Sequence, residues 1–120
     1  LNRAAYQHSL DMAERGYLEH DTRQPLPTGQ SGPTYEHRIA DNGYSGAPYG
    51  ENIAGGPYTT GEAVFDVWRD SGPDYDTNMR NPDFTQIGIG FASMAGGPYP
   101  HYWTADFGAG NDPPDASCGQ

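Results

Sequence analysis

Glu51 and Asn52 stand side by side in the run Tyr49-Gly50-Glu51-Asn52-Ile53-Ala54-Gly55-Gly56, a carboxylate and an amide bracketed by glycines. Ile53 and Ala54 draw this run toward a core, and glycine lets its backbone approach a neighbouring segment. A carboxylate drawn inward is costly unless it is paired, hydrogen-bonded or metal-bound. Glu51 therefore reads as a site residue whose partners come from elsewhere in the chain. His20 is one candidate, because it falls where a helical pattern gives way to a polar loop, a common setting for functional groups. Glu51 as general base and His20 as acid or metal ligand would suit hydrolysis. Ser9 and Ser71 are conceivable nucleophiles, but neither sits in a G-x-S-x-G elbow, and the chain has no H-E-x-x-H motif. His8 falls on an apolar helical stripe and reads as a core histidine. Glu36-His37-Arg38 are helix neighbours whose side chains diverge, so as a group they read as a solvated face.

The elements that must position these groups are legible in part. Leu1, Ala4, Ala5, His8 and Met12 recur at spacings of three and four, which predicts a helix from Leu1 to Gly16, with glycine as its stop. A polar, proline-rich loop follows from Asp21 to Pro33. A short helix fits Thr34 to Asn42, with Tyr35, Ile39 and Arg38 turned inward. Thr59 and Glu62 have capping-box spacing, and Ala63, Val64, Val67, Trp68 and Ser71 make an apolar stripe ending at Gly72-Pro73. Asp74 to Pro82 reads as an acidic, turn-rich connection. Ile87, Ile89 and Phe91 alternate with Gly88 and Gly90, so Thr85 to Ala92 reads as a strand whose glycine face admits a closely packed layer. His101 to Phe107 reads as its hairpin partner, with Trp103, Ala105 and Phe107 on one face. With an earlier strand near Glu51, this is an α+β pattern of helices on a small antiparallel sheet.

Composition narrows the functions. The 120 residues suffice for one core, and carry 16 acidic against 6 basic side chains, a formal charge of -10. Such a surface repels nucleic acid and anionic membranes and attracts cations or basic peptides. No apolar run is long enough to span a bilayer. The single cysteine, Cys118, lies in a polar tail, residues 111–120, that is expected to be frayed. The chain opens at Leu1 in mid-pattern, as a piece of something longer would.

Taken in series, His8-Ser9-Leu10-Asp11-Met12-Ala13, His20, Gly50-Glu51-Asn52-Ile53-Ala54, Trp68 with Ser71, Asn81-Pro82-Asp83-Phe84-Thr85-Gln86-Ile87-Gly88-Ile89-Gly90 and Tyr102-Trp103-Thr104-Ala105-Asp106-Phe107-Gly108 resemble the CAP superfamily. This is the SCP domain of cysteine-rich secretory, antigen 5 and pathogenesis-related proteins, here most similar to its small bacterial YkwD-like branch. The resemblance implies a three-layer α-β-α sandwich over residues 1–110, secretion or cell-envelope exposure, and a cleft of two histidines and two acids. It also implies a helix ahead of the one at Leu1, whose absence would bare apolar surface. Residue by residue, it places His20 as the first cleft histidine and Glu51 as the acid. The second acid falls at about Asp70 or Ser71, and Asp74 stands where the second histidine belongs. A metal set of His20, Glu51 and Asp74, joined by Asp70 or Asp76, would suit Ca²⁺, Mg²⁺ or Mn²⁺ better than Zn²⁺. Three functions compete: a secreted binding module for a divalent metal, peptide, lipid or glycan; a hydrolase or peptidase using Glu51 and His20; and a structural envelope domain with a vestigial cleft. The first is favoured.

Overall fold

Helix α1 spans Asn2–Arg15 and ends at Gly16, whose φ of 70° turns its N–H onto the Met12 carbonyl. The structure, a computed structural model, describes residues 1–110, without the side chain of Asp74. The expected frayed tail, with Cys118, lies outside the described residues. The face that α1 buries is Ala4, Ala5, His8, Ser9, Met12 and Ala13, mostly small side chains, so the helix lies close to what it covers. What it covers is the glycine face expected from the sequence. A Cβ on Gly88 would overlap the Leu1–Asn2 backbone, and one on Gly90 the Ala5–Tyr6 backbone. Ser9 fastens the contact by donating to the Gly90 carbonyl at 3.0 Å and sharing a hydrogen bond with Thr104 at 2.8 Å.

Three antiparallel strands make the sheet, β1 (Gly50–Gly56), β2 (Gln86–Ser93) and β3 (His101–Gly108), in the order β1-β3-β2. The expected hairpin of β2 and β3 is present, and β1 pairs on the other side of β3. The register sets Glu51 opposite Asp106 and Ile53 opposite Thr104. Because side chains alternate across a strand, Glu51, Thr104, Asp106 and Gly90 share the α1 face.

Helix α2 (Tyr35–Asp41) lies beside α1. Thr34 and His37 cap it reciprocally, and Arg38 and Ile39 are buried. On the opposite face lie α3 (Gly61–Asp70) and α4 (Pro73–Arg80), completing the three layers. Thr60, rather than the expected Thr59, caps α3 by accepting from the Ala63 N–H. Val64 and Trp68 are its buried anchors, and Trp68 Nε1 donates to the Ile53 carbonyl at 2.9 Å. Helix α4 occupies the stretch that reads as a turn-rich connection. Pro73 at its first turn removes an N–H that would have had no partner, and an i,i+4 pair, Arg80–Asp76, supports its end. These two helices cover β1 and β3 but leave β2's Ile87, Ile89 and Phe91 substantially exposed, with Phe65 of α3 beside them. No described helix is long and apolar enough to cross a membrane.

Candidate functional site

His20 and Glu51 meet: the imidazole Nδ1 lies 3.1 Å from Glu51 Oε1. Local chemistry brings the histidine there. Gly16 reverses the chain at the end of α1, and the buried His8 ring donates from Nε2 to the Glu19 carbonyl at 2.7 Å, pinning the residue next to His20. Glu51 comes from the second residue of β1 and is fully buried, whereas His20 keeps much of its ring in solvent.

The other Glu51 oxygen is held by Arg38, at 2.6 Å, with the two side chains only 2% and 0% exposed. Arg38 also donates to the Thr22 hydroxyl and the Pro33 carbonyl, fastening both ends of the loop that follows His20. Burial alone would raise the Glu51 pKa, but His20, the carboxyl of Asp106 and the Arg38 guanidinium outweigh it and hold the group down at about 2. Asp106 faces Glu51 across the ladder, fully buried, with no hydrogen bond of ordinary geometry to either oxygen. Burial first, and then the adjacent Glu51 charge, push Asp106 well above the carboxylate range.

The wall opposite His20 comes from α4. Asn78 donates to the Glu51 carbonyl and to Asn52 Oδ1, while Asn52 donates to the Tyr75 carbonyl. This amide ladder fixes α4 to β1 and sets the Tyr75 ring against His20, with centroids 6.5 Å apart and planes 24° from parallel. The result is an open hollow of about 230 Å³ lined by His20, Tyr35, Glu51, Asn52, Tyr75 and Asn78.

Two sequence candidates lie elsewhere. Asp70 ends α3 in solvent, bonded to Arg69, and Ser71 donates back to the Val67 carbonyl, so neither lines the hollow. Asp74 belongs to α4, and its side chain is outside the described residues. The residue that α4 does bring to His20 is Tyr75. Among the described side chains Glu51 is the one carboxylate in the lining, and Arg38 pairs with it. A second cation there would face a guanidinium 2.6 Å from its carboxylate ligand. Among the described residues, no group of three or more His, Cys, Asp or Glu side chains is arranged to hold a metal.

The sequence reading missed three contributors. Arg38 was expected to turn inward, but its partner lies 13 positions away. Asp106 sits on the strand face opposite Trp103, Ala105 and Phe107, the set that marks the strand as buried. Tyr75 belongs to a helix with no apolar stripe to announce it.

Comparison with known proteins agrees with this architecture. A crystal structure, at 1.5 Å resolution, of an extracellular protein containing an SCP domain from Bacillus anthracis str. Ames superposes with a TM-score of 0.69 and 26% identity. The match covers 91% of this chain and 31% of that one, so the chain spans about a third of the matched protein. No curated protein matches. The family model of the cysteine-rich secretory proteins matches residues 1–107, and the chain belongs to that family, CAP.

Proposed function

We propose that this domain is an extracellular binding module whose hollow receives a neutral polar group presented by a peptide or glycan. One observation carries the reading. The Glu51 charge is spent on Arg38, so the hollow offers an imidazole with its Nε2 unpartnered among the described residues, two tyrosine rings and two amides. Aromatic faces beside a few convergent polar groups suit hydrogen-bonded ligands with apolar edges. An extracellular setting is supported by the SCP-domain relative.

The test is a peptide and glycan array probed with the protein and with His20→Ala, Tyr75→Ala and Asp70→Ala. His20→Ala and Tyr75→Ala should lose capture of the wild-type hits at little cost in thermal stability, and Asp70→Ala should keep it. Retention of every hit by the first two variants would overturn the reading.

A second reading rests on the way a buried carboxylate orients His20, an arrangement that suits an imidazole to take a proton from water. Ser9 is buried against Gly90 and Thr104, and Ser71 is outside the hollow, so hydrolysis here would use water as nucleophile. Turnover of any member of a peptide library, abolished by His20→Ala, would establish it. Complete inactivity at high enzyme concentration would dismiss it.

A further inference from the structure

The polarity of the hollow is set by one hydrogen bond at its floor. Glu51 is ionised, and a carboxylate can only accept. The His20 nitrogen 3.1 Å from it is therefore the one that carries the proton. Nδ1–H donates to Oε1, and in the neutral ring Nε2 is left as a bare acceptor. The His20 side chain is 42% exposed, with its Nδ1 edge committed to a buried partner. Nε2 is not among the buried polar atoms and has no partner among the described residues.

A group bound at Nε2 must donate. A carboxylate offers only acceptors and is excluded, and a cation finds the one carboxylate of the lining already paired with Arg38. Beside His20 stand Tyr35 and Tyr75, whose hydroxyls are likewise not buried and without a partner among the described residues, so each can donate to a carbonyl. The amides are largely committed: Asn78 donates to the Glu51 carbonyl and to Asn52 Oδ1, and Asn52 donates to the Tyr75 carbonyl. Size narrows the choice further. About 230 Å³ falls below the roughly 300–1,000 Å³ of pockets that enclose a whole ligand, so the hollow has room for a side group rather than a run of chain. An acetamido group combines an N–H donor, a carbonyl acceptor and a methyl for the ring faces.

We propose, resting on the binding reading above, that the hollow takes the acetamido group of an N-acetylated sugar, its N–H on His20 Nε2, with Glu51 as the positioning residue that makes Nε2 an acceptor. The half-buried Tyr75 ring, set against His20, leaves an aromatic face on which the apolar side of a pyranose can lie, and this favours a sugar over an acetylated peptide.

Two NMR measurements on the whole chain test this. Long-range ¹H–¹⁵N spectra of the imidazoles, at a pH that leaves them neutral, read which nitrogen of His20 carries the proton. Nδ1 is expected, and a proton on Nε2 overturns the proposal before any ligand is added. Titration with N-acetylglucosamine should then give saturable amide shifts at His20, Tyr75 and Asn78, with none from glucose or from N-acetylated lysine. His20→Phe keeps a ring against Tyr75 but no acceptor, and should weaken the sugar roughly tenfold. Glu51→Gln must aim its carbonyl at Arg38, which only donates, and so its NH₂ at His20. The His20 proton should move to Nε2 and the sugar should weaken as far; where this variant fails to fold, His20→Phe decides. Equal shifts with glucose, or shifts with the acetylated lysine alone, would overturn the assignment to an acetamido sugar and leave the binding reading standing. Absence of any His20-dependent capture on the arrays would overturn both.

Discussion

Removing Arg38 should cost more than any other single polar change around the hollow. In Arg38→Met the Glu51 carboxylate stays buried, deprived of the guanidinium 2.6 Å away. Breaking one side of a buried pair costs about 3–5 kcal/mol. The loss has a ceiling, because Glu51 can escape by taking a proton. From an ordinary glutamate pKa that costs about 4 kcal/mol at pH 7, close to the same figure. Set against a usual total of about 5–15 kcal/mol, this is a large fraction of the stability. The melting midpoint should fall by about 12 °C or more. Urea unfolding followed by circular dichroism measures it at pH 7 and again at pH 4.5, where protonation is cheap and the deficit should shrink. Arg38→Met combined with Glu51→Leu removes both charges and should be clearly more stable than Arg38→Met alone. A deficit under about 1 kcal/mol at pH 7, or a double variant no better than the single one, would refute the claim that this pair is a desolvated, interdependent unit.

Other predictions follow from buried groups and close contacts. His8 is held at about 4 from an ordinary 6.5, so between those values the unfolded chain binds the proton and the folded one does not. Stability from this residue is therefore full above about pH 6.5 and is lost toward pH 4, by about 3 kcal/mol, and urea midpoints should show His8→Phe lacking that slope. Asp106 has the opposite sign. Its raised pKa means that its contribution is complete below the unfolded value near 4 and declines as pH rises, so Asp106→Asn should gain on the wild type between pH 5 and pH 8 in thermal melts. Gly90→Ala drives a methyl into the Tyr6 backbone and should destabilise by about 2 kcal/mol or more in the same melts, whereas Gly96→Ala, on an open turn, should lose less.

Much of this arrangement was legible because periodicity reports burial. The α1 stripe, the Ile87–Gly88–Ile89–Gly90 alternation and the apolar flank of Glu51 each announced an element or an inward side chain. His20 opposite Glu51 followed from family pattern more than from physics, since no local signal links residues 31 apart. What stayed hidden was long-range or two-sided. The strand β3 is buried on both faces, so the reading that assigned Trp103, Ala105 and Phe107 to a core left no inward role for Thr104 and Asp106. Helix α4 owes its place to the Asn52–Asn78 amide ladder, and polar tertiary contacts of that kind leave no stripe. Asp70 and Ser71 were drawn into the site by family spacing, but α3 ends with both turned toward solvent.

The uncovered stripe of Ile87, Ile89 and Phe91 belongs to a chain with ten surplus negative charges. Two copies approaching stripe to stripe must first overcome their mutual repulsion, which dilute buffer transmits over long distances and salt cuts to about 10 Å at 0.1 M. Rising ionic strength thus eases self-encounter of this molecule, whereas it would weaken a contact made of ion pairs.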